Sequence, residues 1–302
     1  MKPFEALEAK LAGAISEGTE ALFEAVSIEA VSGGCIHTAV KIVGSMAREE
    51  HTYFAKFNDA DRKAMFAAEA EGLEALRAAD AVAVPRAIAH GADADHSWLV
   101  LQWLELVPLD EKSAANLGVA LAVQHRRAQA RFGWAHDNFI GATPQANGWS
   151  DDWLAFWRAR RLVPQLRLAA RNRLPSRMID RGERLATDCD AFFGTHTPDK
   201  SLLHGDLWNG NAAATEGNIP VVFDPAVYVG DREADIAMTE LFGGFPKDFL
   251  AAYRAAWTLD GGYTVRRDFY NLYHVLNHAN LFAGGYVRQG EQSIERLLAE
   301  IR

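Results

Sequence analysis

The character of the chain changes once, near Pro108, and that change constrains the fold more than any other feature. Before it, β-branched and aromatic runs alternate with turn signals. After it, apolar residues recur mainly at helical spacing. Phe4, Leu7, Leu11 and Ile15 predict an N-terminal amphipathic helix. "AVSIEAV", "CIHTAVKIV" and "HTYFAKF" read as three antiparallel strands separated by "SGG" and "GSMAREE". "ADRKAMFAAEAEGLEALRA" predicts a helix with Asp at its cap and Met65, Leu73 and Leu76 on one face. "VPRAIAHG" and "SWLVLQWLEL" add two strands, with "LQWLEL" as a hinge. Beyond Pro108, "SAANLGVALAVQHRRAQ", "DDWLAFWRARRLVPQLRLAARN" (bent or broken near Pro164) and "SRMIDRGERLATDCDAFF" read as helices. An island of strands follows in "SLLHG", "NAAAT" and "IPVVFD", and the tail from "EADIAMTELF" is helical. The expected class is α+β: a β-rich first lobe over residues 1–104 and a mainly helical second lobe over 105–302 with a small β insertion.

Bulk composition excludes several functions. The 302 residues carry 31 basic and 40 acidic side chains, a net charge of −9. A strong nucleic-acid binder would more often be basic. The two cysteines, Cys35 and Cys189, are too far apart and too few for a disulfide framework or a metal cluster. The N-terminus lacks the apolar core of a signal peptide, and no run approaches the length of a membrane span. A cytoplasmic protein with neither nucleic acid nor membrane as partner is expected.

Five features point to phosphoryl transfer. Ser32, Gly33 and Gly34 form a turn between two strands, where glycines let backbone N–H groups approach a phosphate. Lys56 sits inside an apolar strand; in isolation, strand alternation would put it outward in solvent. Glu69 lies on the next helix, also open to a solvated reading, but Lys56 and Glu69 together suit the strand-to-helix ion pair that holds a nucleotide's phosphates in kinases. Asp206 and Asn211 have the five-residue interval of the kinase catalytic loop, in which the Asp receives the hydroxyl proton and the Asn holds Mg²⁺. Asp224 closes the apolar strand "IPVVFD", where a carboxylate needs a partner or a cation. A hairpin between Asn211 and Asp224 would bring both to one edge. ATP and Mg²⁺ are therefore the expected cofactors, with the backbone of Gln102 to Leu104 meeting adenine.

The blocks "LLHGDLWNGN", "FDPAVYVGDREADIAMTELFGGF", "FAAEAEGLEAL", "FGWAHDNFIGATPQANGW" and "LYHVLNHANLF" closely resemble the fructosamine kinase (ketosamine-3-kinase) family across essentially the whole chain. The resemblance implies a protein-kinase-like fold and ATP-dependent phosphorylation of the third-carbon hydroxyl of a ketosamine, free or on a protein lysine. Other small-molecule kinases of this fold, acting on aminoglycosides or choline, and a silent nucleotide-binding pseudokinase are the rival readings. Gly205 stands where protein kinases have the Arg of H-R-D, and Asp224-Pro225-Ala226 replaces D-F-G with no A-P-E after it, so control by a phosphorylated activation loop is not expected. Asp206 is assigned as the base, and Asn211 and Asp224 as metal ligands. Asp235 in "GDREAD" is expected to brace the catalytic loop, and His204 to support its backbone. His125 is read as structural. Trp208 either faces the sugar or is a core aromatic. His278 either bonds sugar hydroxyls or is a satisfied core histidine. Cys35 either is redox-active, giving a monomer that becomes a disulfide-linked homodimer, or is a small residue packed in a turn.

Overall fold

The computed structural model describes residues 5–31, 36–194 and 196–301. Helix α1 (Glu5–Thr19) precedes strands β1 (Phe23–Val31), β2 (Thr38–Met46) and β3 (Glu49–Asp59); helix α2 (Lys63–Ala79) then leads to β4 (Ala87–Ala92) and β5 (His96–Gln102). The five strands form one antiparallel sheet in the order β1-β2-β3-β5-β4. Each face is covered by one helix. On one, Leu7, Leu11 and Ile15 of α1 pack on Val40, Ile42, Ala55 and Val100; on the other, Phe66, Ala70 and Leu73 of α2 pack on Leu99 and Leu101. Neither face of β3 is left to solvent, which is why the strand carries near-continuous burial at Tyr53, Ala55 and Lys56 rather than a simple alternation. The Asp cap expected for α2 is absent: Asp61 lies within a turn of 3₁₀ helix, Ala60–Arg62, that precedes it, and the residue at the cap position is Arg62, which makes no side-chain capping bond.

The chain beyond residue 108 is mainly helical, as expected. Helix α3 (Glu111–His125) starts on a capping box between Asp110 and Ser113. A short hairpin, β6 (Asn138–Ile140) with β7 (Thr143–Gln145), then crosses toward α2. Helix α4 (Trp153–Trp157) runs through a π turn, Arg158–Leu162, into α5 (Val163–Arg171). The break anticipated near Pro164 is thus a π bulge, a wider turn that lies immediately before the proline, so the helix runs on through a residue that cannot donate an N–H. Helix α6 (Ser176–Asp188) is followed by β8 (Ser201–Leu203), β9 (Ala212–Ala214), β10 (Pro220–Val222) and β11 (Tyr228–Gly230). These pair as β8 with β11 and β9 with β10. Helices α7 (Glu233–Thr239), α8 (Lys247–Ala256), α9 (Tyr263–Phe282) and α10 (Gly285–Glu300) complete the chain. The largest core gathers Trp153, Trp157, Phe269, Tyr270 and Tyr273; a second joins α3 and α8 beneath Leu207 and Ile236. Among the described residues, no helix is long and apolar enough to cross a membrane.

Candidate active site

The sheet and the strand island converge on a cluster of charged groups. Lys56 pairs with Leu99 across β3 and β5, so its side chain projects onto the α2 face and is buried. An isolated strand would have sent it to water; the covering helix removes that option. Its Nζ donates to Glu69 Oε1 at 2.8 Å and to Asp224 Oδ1 in a shorter contact. Burial opposes the Lys56 charge, but Glu69 and Asp224 outweigh it and hold the amine above its usual range. Burial pushes Glu69 up to about 7 even with Lys56 beside it. His37, missed in the sequence, lies close by: burial and the Lys56 charge hold it down at about 4, so it adds no cation to the cluster.

The loop after β8 carries Asp206 and Asn211. Asn211 Nδ2 donates to the Asp206 carbonyl at 2.8 Å and to Asp206 Oδ2 at 3.2 Å, closing the five-residue interval into a ring. With Nδ2 committed to these acceptors, the Asn211 amide oxygen is the group it can offer a cation. Antiparallel pairing of Val222 with Ala212, together with Phe223 N–H donating to Asn211 O at 3.1 Å, brings Asp224 beside this loop. Asp224 has φ of 58°, a left-handed conformation that a non-glycine residue adopts at some cost. Burial, then repulsion from Asp224, pushes the Asp206 carboxyl up to about 7, with Asp235 adding to it and Asn211 opposing.

Beneath the loop, Asp235 at the start of α7 accepts from His204 N–H at 2.7 Å and Gly205 N–H at 2.9 Å, and lies 3.2 Å from His125 Nε2. Burial pushes this carboxyl up, but the His125 hydrogen bond and the nearby imidazoles more than compensate, leaving it below its usual range. His204 spans the loop: its Nε2–H donates to Phe223 O at 3.0 Å while Nδ1 accepts from Asp206 N–H at 3.3 Å. Both contacts require the neutral Nε2–H tautomer, and burial lowers the His204 pKa in the same sense. Gly205 has φ of 82°, and a Cβ there would lie 2.1 Å from Ala226 O, so no arginine can occupy the position.

The remaining candidates fall less uniformly. Gln102 N–H donates to Arg86 O at 2.8 Å, and Leu104 lies in the extended segment beyond β5. Trp208 is 38% exposed, which removes the core-aromatic reading. Its indole folds over Gly210, where a Cβ would come within 2.3 Å of the ring. His278 donates through Nδ1 to His274 O at 2.9 Å and packs among Phe242, Phe282 and Tyr286, with ring centroids 4.4, 5.6 and 5.0 Å away. Its Nε2 is left as an acceptor. Ser32, Gly33, Gly34 and Cys35 lie outside the described residues. Cys189 is buried, and burial raises its thiol pKa.

Several residues around the cluster were not legible as site residues. Gly72 of α2 is one: a Cβ there would lie 3.2 Å from Pro225 Cγ and 3.3 Å from Val227, so the glycine lets α2 rest directly on the segment after Asp224. Asp231, fully buried, accepts from Tyr270 OH and from His196 Nε2, each at 2.7 Å, and Glu233 is bound by Arg266. "GDREAD" therefore holds three buried acids rather than one. Asn138, Gln145 and Asn147 form a buried amide network whose signal was the polar run "DNFIGATPQAN".

The oxygens assembled here suit a hard divalent cation. Asp224 offers a carboxylate whose side chain is 40% exposed, and Asn211 offers its amide oxygen. Glu69 and Asp224 share the Lys56 ammonium, and Asp206 feels the Asp224 charge, so carboxylates outnumber cations here and a divalent cation would redress the balance.

Comparison with known proteins places this geometry. A family model described as fructosamine kinase matches residues 7–300. A probable ketoamine kinase of Synechocystis sp. is 43% identical over 293 residues, covering 95% of this chain and 96% of that protein. The chloroplastic protein-ribulosamine 3-kinase of Arabidopsis thaliana is 37% identical, covering 86% and 78% respectively. A crystal structure of a Haemophilus somnus protein provisionally named fructosamine-3-kinase superposes with a TM-score of 0.85 at 27% identity, over 95% of this chain and 96% of that one. At 14% identity, a choline kinase structure from Streptococcus pneumoniae shares the fold alone, with a TM-score of 0.55 over 98% of this chain and 99% of that one. The kinase-like α+β fold expected from the sequence is borne out.

Proposed function

The chain belongs to the fructosamine kinase family, and from that premise we propose that it transfers the γ-phosphoryl group of ATP to the third-carbon hydroxyl of a ketosamine. The observation that carries the reading is the convergence of Lys56, Glu69 and Asp224 beside the loop that joins Asp206 to Asn211. Phosphoryl transfer is chiefly positioning and charge stabilisation. Asp206 orients the acceptor hydroxyl and takes its proton late, a role that its raised pKa suits. Lys56, fixed by Glu69, holds the nucleotide's phosphates. Asn211 and Asp224 would hold Mg²⁺, which neutralises charge on the phosphate oxygens. Trp208 presents an exposed indole face to the sugar, and the His278 Nε2 is an acceptor for its hydroxyls. His204 and Asp235 keep the loop in place.

The division into a nucleotide-binding lobe through residue 104 and a catalytic lobe from 105 belongs to the same proposal. It is supported by the strand order of the sheet and the return of the chain to helix at Glu111. The backbone from Gln102 to Leu104 meets adenine, and Ser32 to Gly34 supply the phosphate loop. The product explains the biology. Enolisation across the first and second carbons expels phosphate from the third, and hydrolysis of the resulting imine frees the amine. Phosphorylation thus leads to deglycation of small amines or protein lysines.

The test is ADP release with ribuloselysine, fructoselysine, kanamycin and choline in parallel. Turnover with one or both ketosamines and none with the others is expected. Turnover only with kanamycin or choline would replace the substrate assignment, and ATP binding without turnover on any would establish a pseudokinase.

A further inference from the structure

The hairpin region 131–150 belongs to neither the phosphate-binding sheet nor the catalytic loop, yet it touches the backbone or helix behind two members of the charged cluster. Its amides grip the chain just beyond Asp224. Asn138 Nδ2 donates to Val227 O at 2.7 Å, and Gln145 Nε2 donates to Ala226 O at 3.2 Å. Asn138 Oδ1 accepts from Gln145 at 2.8 Å and Asn147 at 3.1 Å, and Tyr273 OH donates to Gln145 Oε1 at 2.8 Å. Asn147 Oδ1 in turn accepts from Arg161 at 2.8 Å, whose buried guanidinium lies 4.0 Å from the Tyr228 ring centroid. Gly133 and Val229 exchange both backbone hydrogen bonds at 2.8 Å, so the strap adds a bridge alongside β11. Its other end grips α2: Trp134 Nε1 donates to Glu71 Oε1 at 2.9 Å, two residues beyond Glu69.

We infer that this strap is a positioning device that holds Asp224 in its left-handed conformation and α2 in the place that pairs Glu69 with Lys56. A non-glycine residue at positive φ persists only when its surroundings over-determine it. On the far side, segment 223–227 is held by the catalytic loop, through His204 Nε2 to Phe223 O at 3.0 Å and Ala226 N–H to His204 O at 2.8 Å. The strap amides supply the opposite side, and in a buried network each partner must be satisfied for any to keep its geometry. The chain therefore assembles its ion pair without a phosphorylated segment: contacts that a switchable loop would make on modification are here permanent side-chain hydrogen bonds.

The inference rests on the proposed kinase reading, but its test is a binding measurement that stands apart from turnover. Mg²⁺ is titrated calorimetrically into the protein–ADP complex, and ADP into protein with chelator. Gln145→Met keeps the volume and removes the amide, and is expected to weaken Mg²⁺ about ten-fold with metal-free ADP affinity within two-fold. Tyr273→Phe, a milder change that removes only the hydroxyl holding Gln145, is expected to weaken Mg²⁺ two- to three-fold and remains informative if Gln145→Met does not fold. Trp134→Phe is expected to weaken metal-free ADP about three-fold and leave the Mg²⁺ step unchanged. A merely structural strap would lower the melting temperature without separating these two affinities. Wild-type Mg²⁺ affinity in both Tyr273→Phe and folded Gln145→Met overturns the positioning of Asp224, and wild-type ADP affinity in Trp134→Phe overturns that of α2. A wild-type protein that binds Mg²⁺ and ADP but phosphorylates no ketosamine overturns the functional reading instead.

Discussion

Asp206→Asn should destroy turnover and stabilise the fold at the same time. In the metal-free protein, burial and the Asp224 charge raise the Asp206 carboxyl from 3.8 to about 7. Taken whole, a shift of that size corresponds to about 4 kcal/mol. Asp206 is only partly buried, however, so water in the cleft screens it and the usable figure is about 1–2 kcal/mol. The sign follows from proton counting. Between pH 4 and 7 the native state holds a proton that the unfolded state has released, so wild-type stability falls as pH rises through that window. Asparagine resembles the protonated acid and carries no such cost. The variant should therefore melt about 2–3 °C above wild type at pH 8 in chelator. The gain should shrink as pH is lowered to about 4, where the wild-type carboxyl is protonated in the folded state. Turnover should fall by about a thousand-fold or more, as expected for loss of the hydroxyl-orienting group and its proton acceptor together. Differential scanning fluorimetry at the two pH values, alongside an ADP-release assay, measures all three. A variant that melts at or below wild type at pH 8, or one whose gain does not depend on pH, would refute the electrostatic account; near-normal turnover would remove Asp206 as base.

Two other substitutions probe the loop and the buried acids beneath it. Gly205→Ala combines a φ of 82° with a Cβ 2.1 Å from Ala226 O, so it should lose at least about a hundred-fold in turnover and about 1–3 kcal/mol in stability, read by rate and thermal melt; a wild-type rate would show that the loop shifts freely. Arg266→Met strands the fully buried Glu233, which Arg266 Nε and Nη2 bind at 2.7 and 3.0 Å. It should cost about 3–5 kcal/mol and about 5–8 °C in melting temperature, and a drop under 3 °C would show that Glu233 is neutral in the fold.

Legibility tracked how local each signal was. The five-stranded sheet and the long helices carry their own periodicity over many residues, and they appear where the patterns predict. The β6–β7 hairpin and β11 are three-residue strands, too short to show any period, and their burial is decided by partners far away in the chain. Lys56 illustrates the limit within the site. Nothing in "YFAKF" says which face is covered, so the strand alone favoured an exposed lysine; only the distant Glu69 and Asp224 suggested otherwise. Asp231 and Glu233 were unreadable for the opposite reason. Charged residues are solvated by default, and their partners His196, Tyr270 and Arg266 stand more than thirty positions away in the chain.

The arrangement of charge explains why stability and activity pull apart here. Lys56 satisfies Glu69 and one oxygen of Asp224, and Asp235 is satisfied by two backbone N–H groups and sits close to His125. Asp206 alone has only an amide donor, from Asn211, and faces the Asp224 charge. A fold selected only for stability would have placed a cation beside it, and such a cation would hold the carboxyl below its usual range and weaken it as a proton acceptor. His37 is close enough to Lys56 and Asp224 to feel both charges, yet it is held neutral by burial and by Lys56. The uncompensated charge is thus kept until a divalent cation arrives with the nucleotide, and the cost is borne by contacts that do not touch the reacting atoms: Asp235 and His204 below the loop and the amide strap beside Asp224.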